Sequence, residues 1–172
     1  YKRVEEETLG YLLREMRDHS GGFYSAQDAE SEGVEGKYFV WRPETIKSIL
    51  GEENGTLFNE SFDVTDVGNF EGMSILNLSD ELRKVKSGDM DNKIQDRQFI
   101  DQCRTKLYEE RLKRIKPDLD DKIVTSWNGL ALGALAEAGA ILDRKDYIEA
   151  AISTAQLLTS GLLVEGRLMR TY

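Results

Sequence analysis

The sequence predicts a mainly α fold, built from helical hairpins with short β-hairpin insertions. Apolar residues recur at helical spacing near the start (Val4, Leu9, Leu12, Leu13, Met16) and again at Phe99, Ile100, Cys103 and Leu107. Small residues crowd the stretch 125–142, and a further helical pattern follows at 145–160 after a short break. Two helices so closely joined form an antiparallel hairpin. Two short aromatic-rich runs and several glycine turns lie between these helical parts, the texture of small strands.

Taken in order, residues 2–18 read as a helix that Gly21-Gly22 stops. The runs 22–26 and 37–41 (Lys37-Tyr38-Phe39-Val40-Trp41) read as two strands joined by a long acidic loop. Pro43 opens a helix, with Glu44 favouring its dipole and Gly51 ending it. Leu57, Phe58 and Phe62 suggest another short helix, 66–72 a loop, and 74–78 an extended segment. The polar stretch 83–97 reads as solvated and mobile. The helix carrying Cys103 and Leu107 is expected to run to about Lys116, where Pro117 ends it. In the next helix, from Thr125 or Ser126 to Leu142, small residues on several faces predict an inner helix packed on both sides.

A net charge of −9, from 23 basic and 32 acidic residues, argues against a nucleic-acid-binding module and fits a cytoplasmic protein. No apolar run reaches the length of a membrane-spanning helix. The single cysteine, Cys103, excludes an internal disulfide or CxxC pair, and its apolar helical face marks it as a small buried hydrophobe. His19 is the only histidine, so a two-histidine metal or acid–base site is excluded; at a helix end it reads as a surface residue. No phosphate loop, dinucleotide fingerprint or zinc spacing is present, and no cofactor is expected. The chain starts at Tyr1 and stops at Tyr172 within an apparent structured segment. Flanking domains are therefore expected, and with them an uncovered apolar face or self-association.

Three constellations carry the candidate chemistry. Asp28, Glu30, Glu32 and Glu35 lie near Tyr24, Tyr38 and Trp41. Paired carboxylates beside aromatic platforms suit a sugar site, one acid protonating a leaving oxygen while another acts as base. The plainer reading is a solvated acidic loop flanked by core aromatics. Arg111, Arg114, Asp120, Asp121 and Lys122 precede Trp127-Asn128-Gly129 at a helix start. Either the helix N–H groups receive an oxygen ligand there, or Asp120 or Asp121 pairs with Arg111 or Arg114 as a structural network. The loop Gly68-Asn69-Phe70-Glu71-Gly72 either carries an amide and a carboxylate into a cleft or is simply a turn.

These same residues resemble a known family. The run 21–33, the run Glu35-Gly36-Lys37-Tyr38-Phe39-Val40-Trp41, the loop 68–72 and the stretch from Arg111 to Leu130 resemble the YyaL-like thioredoxin-domain-containing family, to which the spermatogenesis-associated thioredoxin-like proteins of animals belong. Glu30 stands where that pattern has aspartate. The resemblance implies a thioredoxin-like domain, absent from this chain, followed by an (α/α)6 toroid similar to N-acylglucosamine 2-epimerases and six-hairpin glycosidases. This chain would be one partial toroid segment over 1–172, with a β-rich and loop insertion around 21–78. Fold kinship of this kind fixes no reaction.

Two functional readings result. In the first the segment belongs to a carbohydrate-binding or carbohydrate-active toroid. Asp28, Glu30, Glu71 and Asp121 are its candidate acids, Tyr24, Trp41 and Trp127 its stacking surfaces, and Asn69, Lys122 and Asn128 its ligand-orienting groups. In the second the segment is a non-catalytic scaffold for the thioredoxin-like domain of the same full-length protein.

Overall fold

In the computed structural model, residues 2–78 and 90–172 are described. The chain is mainly α with small antiparallel strand pairs, as the periodicity predicts. It divides into two compact units, Tyr1–Asp28 with Asp118–Tyr172, and Ala29–Pro117. The insertion expected around 21–78 thus lies mostly in the second unit, which continues through the long helix before Pro117.

The first unit is organised around three helices. α1 (Lys2–Tyr11) runs on through a π-helical turn at Leu12–Met16. α5 (Thr125–Leu142) and α6 (Lys145–Gln156) form the expected hairpin. The turn between them works because Asp143 takes a left-handed conformation and donates its N–H to the Gly139 carbonyl. Gly139 eases this packing: a Cβ there would lie 2.6 Å from Ile148 Cδ1, so the isoleucine would have to shift. Leu9, Met16, Phe23, Leu135, Ala138, Tyr147, Ala150 and Ala151 make the core. β1 (Ala26–Gln27) pairs antiparallel with β4 (Leu119–Asp120), and β5 (Leu163–Val164) with β6 (Arg167–Leu168).

α5 departs from expectation in one respect. Its small residues predict packing on both sides, yet in this unit one face is open: Trp127 is 55% exposed, Leu130 75% and Ile141 70%. Thr125, Asn128, Leu135, Ala138 and Gly139 of the same helix are buried.

The second unit has its own core of Trp41, Ile46, Leu50, Phe58, Val64, Cys103 and Leu107. α2 (Pro43–Leu50) begins on the proline and ends at Gly51, as its sequence dictates. α3 (Glu52–Ser61) follows at once, and Gly55 sits so near α2 that a Cβ would approach Lys47 Cα to 2.5 Å. α4 spans Met90–Arg111. It therefore starts within the stretch expected to be mobile; residues 83–89 of that stretch lie outside the described residues.

The strands here are not the aromatic runs. β2 (Glu30–Ser31) pairs with β3 (Val34–Glu35) across Glu32 and Gly33, both at positive φ (55° and 72°). Such a pair makes the two-residue turn that matches strand twist. The turn lies inside the acidic stretch, so that stretch is a hairpin rather than a loop. The run 37–41 instead turns inward and buries Tyr38, Val40 and Trp41.

Candidate functional site

The candidate residues divide between the two units: Tyr24, Asp28, Asp121, Lys122, Trp127 and Asn128 in the first, Glu30, Trp41, Asn69 and Glu71 in the second. In the first unit the β1–β4 ladder places Asp28 against Asp118, whose carbonyl accepts the Asp28 N–H at 2.8 Å. Asp121 follows β4 directly. Asp120 pairs with Lys122, so the lysine read as ligand-orienting holds its own turn.

Tyr24 is half-buried and donates its hydroxyl to Asp18 at 2.8 Å. Its pKa is raised, chiefly by that bond, then by burial and by the charges of Asp18 and Asp121. Asp18, a residue the sequence reading passed over, is a hub. It also accepts the Ser20 N–H at 2.9 Å and lies 2.8 Å from His19 Nδ1. Hydrogen bonding from Ser20 above all, with a share from Tyr24, holds its carboxyl well below the usual aspartate range against the opposing effect of burial. An Asp-x-Ser spacing just after a helix was the available signal.

A stability effect follows with a definite sign. With the folded pKa depressed, the unfolded chain takes up the proton first as pH falls. The contribution of Asp18 is complete above the ordinary aspartate pKa of 3.8 and is lost as pH drops through that value toward the lower folded one. Asp18→Asn should flatten the acid limb of the melting-temperature profile between about pH 5 and pH 2. A variant profile parallel to wild type would show that Asp18 does not carry this dependence.

Asn128 is 1% exposed. Its Oδ1 accepts the Phe23 N–H at 2.7 Å, and its Nδ2 donates to the carbonyls of Phe23 and Val124, both at 3.0 Å. The side chain that the sequence suggested as a ligand-orienting amide is thus committed to the backbone. Trp127, its neighbour, is the exposed member of the pair.

In the second unit Trp41 is 2% exposed and offers no face for a sugar ring. Arg114 lies over it, 4.0 Å from the ring centroid, and donates through Nη1 to the carbonyls of Tyr38 and Val40 at 3.0 and 2.8 Å. Arg111 stands against the rings of Tyr38, Phe39 and Tyr108. The two arginines read as partners of Asp120 or Asp121 thus serve aromatic rings and carbonyls within their own unit. Burial, and secondarily Arg111, push the Arg114 pKa down. Asn69 brackets Ile75, accepting its N–H at 2.8 Å and donating to its carbonyl at 2.9 Å. Glu71 and Gly72, at φ 48° and 74°, form the turn between the bridged residues Phe70 and Met73. Glu30 stands opposite Glu35 across the β2–β3 pair.

Among the described residues no cluster of histidine, cysteine or acidic side chains is arranged to hold a metal, and no helix is long and apolar enough to cross a membrane. No family model matches the chain. Alignment with a human protein covers 99% of this chain at 31% identity over 200 residues. That protein is spermatogenesis-associated protein 20. The mouse protein of the same name is 30% identical over 200 residues, and an uncharacterized protein of Caenorhabditis elegans 31% over 193. The chain spans about a quarter of the length of these relatives: 25% of the human and mouse proteins, 26% of the nematode one.

Proposed function

We propose that this chain is a helical docking segment of a longer polypeptide, with its motifs serving the fold rather than a self-contained catalytic centre. The observation that carries this reading is the open face of α5. Trp127, Leu130, Ala134 and Ile141 are exposed along one row of a helix that is otherwise mainly apolar, with Glu137 the one charged residue among them. Large apolar side chains exposed along one helix face mark an interface. The occupant is a helical hairpin of the same polypeptide, as the far greater length of the relatives and the family resemblance to a toroid of stacked hairpins both suggest. The use of Asn128, Trp41, Asn69 and Lys122 within the fold supports the same conclusion.

The double substitution Trp127→Glu and Leu130→Glu tests it. In this chain alone both positions face solvent, so stability should change by no more than about 0.5 kcal/mol each. In the full-length polypeptide the same change places two carboxylates in an apolar contact and should lower the melting temperature by several degrees. An unchanged melting temperature in the longer protein would overturn the reading. Dimerisation of this chain that the double substitution abolishes would assign the face to a second copy instead.

A glycan-binding reading has one observation behind it. Asp28, Asp121, Lys122 and Trp127 are all exposed in the first unit, which also holds Tyr24. A glycan screen of the full-length protein, repeated with Asp121→Ala, separates the two: loss of a glycan signal without loss of stability favours the sugar site.

A further inference from the structure

The second unit contains a cationic pocket that the docking reading does not use. It lies among the turn after β3, the first turn of α2 and the segment after α4, with a volume of about 460 Å³. Its charged lining is Lys37, Arg42, Lys113 and Arg114 against a single carboxylate, Glu32. Lys37 pairs with Glu32 at 2.8 Å, and Lys113 pairs with Glu110 outside the pocket. Among the described residues, Arg42 and Arg114 have no carboxylate in ion-pair range. In a chain with a net charge of −9, two such arginines in one pocket are a local reversal of sign.

We propose that this pocket binds the phosphoryl group of a phosphorylated small molecule. Arg114 is held rigid by the Trp41 ring and the two carbonyls on Nη1, so its ordering cost is met before any ligand arrives. α2 starts on Pro43 with no side chain capping its first turn, and Thr45 of that turn lines the pocket. Uncapped N–H groups at a helix start, a hydroxyl and two guanidinium groups together suit an oxyanion with several acceptor oxygens. A phosphoryl group offers three such oxygens, a carboxylate two. Tyr38, Val40 and Met73 supply an apolar wall for the remainder of the molecule. The contributing residues are spread from Ser31 to Ile115, which explains why no phosphate-binding motif is visible in the sequence.

The test is an NMR titration of the chain with inorganic phosphate, and separately with acetate at matched ionic strength. Phosphate should saturate one site and shift the amides of Glu44 and Thr45 at concentrations up to about 10 mM, while acetate should not. Arg42→Ala should weaken phosphate binding about tenfold, the effect of losing one charge-assisted contact. Because Arg42 is exposed, its melting temperature without phosphate should stay unchanged. Three results would overturn the assignment: no saturable response, equal phosphate binding by Arg42→Ala, or acetate binding as strong as phosphate.

Discussion

Replacing Asn128 with alanine should cost the first unit about 3–5 kcal/mol, a large part of the stability of a small domain. The magnitude follows from what is left behind. The Phe23 N–H and carbonyl both depend on this amide, at 2.7 and 3.0 Å, and Phe23 itself is buried. Each backbone group stranded away from water costs about 1–3 kcal/mol, and the missing side chain adds a small cavity. Val124 is less affected, because its carbonyl also accepts the Asn128 backbone N–H.

Asn128→Asp gives a sharper signature. It keeps an acceptor for the Phe23 N–H but turns a second oxygen toward two carbonyls. Ionised, that carboxylate is buried and repelled, so its folded pKa rises. The folded state then binds the proton more readily than the unfolded chain, and the variant should gain stability as pH falls from 7 toward 5. Wild type has no reason to behave so, since its Asp18 contribution declines only at lower pH. Urea denaturation at two pH values checks both. An amide that merely faced a ligand would leave stability unchanged in either variant.

The helices were legible because their causes are local. Pro43 and Gly51 bracket α2, and the spacing of Phe99, Cys103 and Leu107 fixes a face of α4, although that helix ends at Arg111 and not at the Lys116–Pro117 boundary expected. The run 22–26 does reach β1 through Ala26, but the strand expected at 37–41 was misplaced for a physical reason. Aromatic residues favour strands but favour burial as strongly, and Tyr38 and Trp41 went to the core. The local pairings are closed by glutamate–glycine turns, which recur at 32–33, 71–72 and 165–166 with both residues at positive φ. That repetition was present in the sequence and was the better signal.

The candidate site was less legible because its residues are claimed by distant partners. Asn128 answers to a backbone 105 positions away, and the arginine over Trp41 reaches a carbonyl 74 positions away. An amide at a helix start and a tryptophan near acids have the composition of a binding site whether or not they face solvent. Only the long-range contacts separate the two cases. Thr154 is a further instance: buried, and donating to the Gly21 carbonyl at 2.8 Å, it ties α6 to the glycine turn, yet nothing near it in sequence marks it.

Trp41→Ala should be comparably severe in the second unit, at about 3–5 kcal/mol for removal of a fully buried tryptophan. The loss has two parts. The indole packs in the cluster with Ile46, Leu50, Phe58 and Leu107, and its face supports the Arg114 guanidinium. Cys103 belongs to the same cluster, and burial raises its thiol pKa, so in the native protein it reacts slowly with a thiol reagent. Opening of this core can therefore be read at Cys103. If modification proceeds through a rapidly reclosing open state, a 3 kcal/mol loss raises its rate roughly 100-fold. Trp41→Phe, which keeps an aromatic face under Arg114, should fall between wild type and alanine. Had Trp41 been a sugar-stacking platform, both substitutions would spare the thiol and weaken binding, alanine more than phenylalanine; an acceleration that tracks lost ring volume assigns Trp41 to the core.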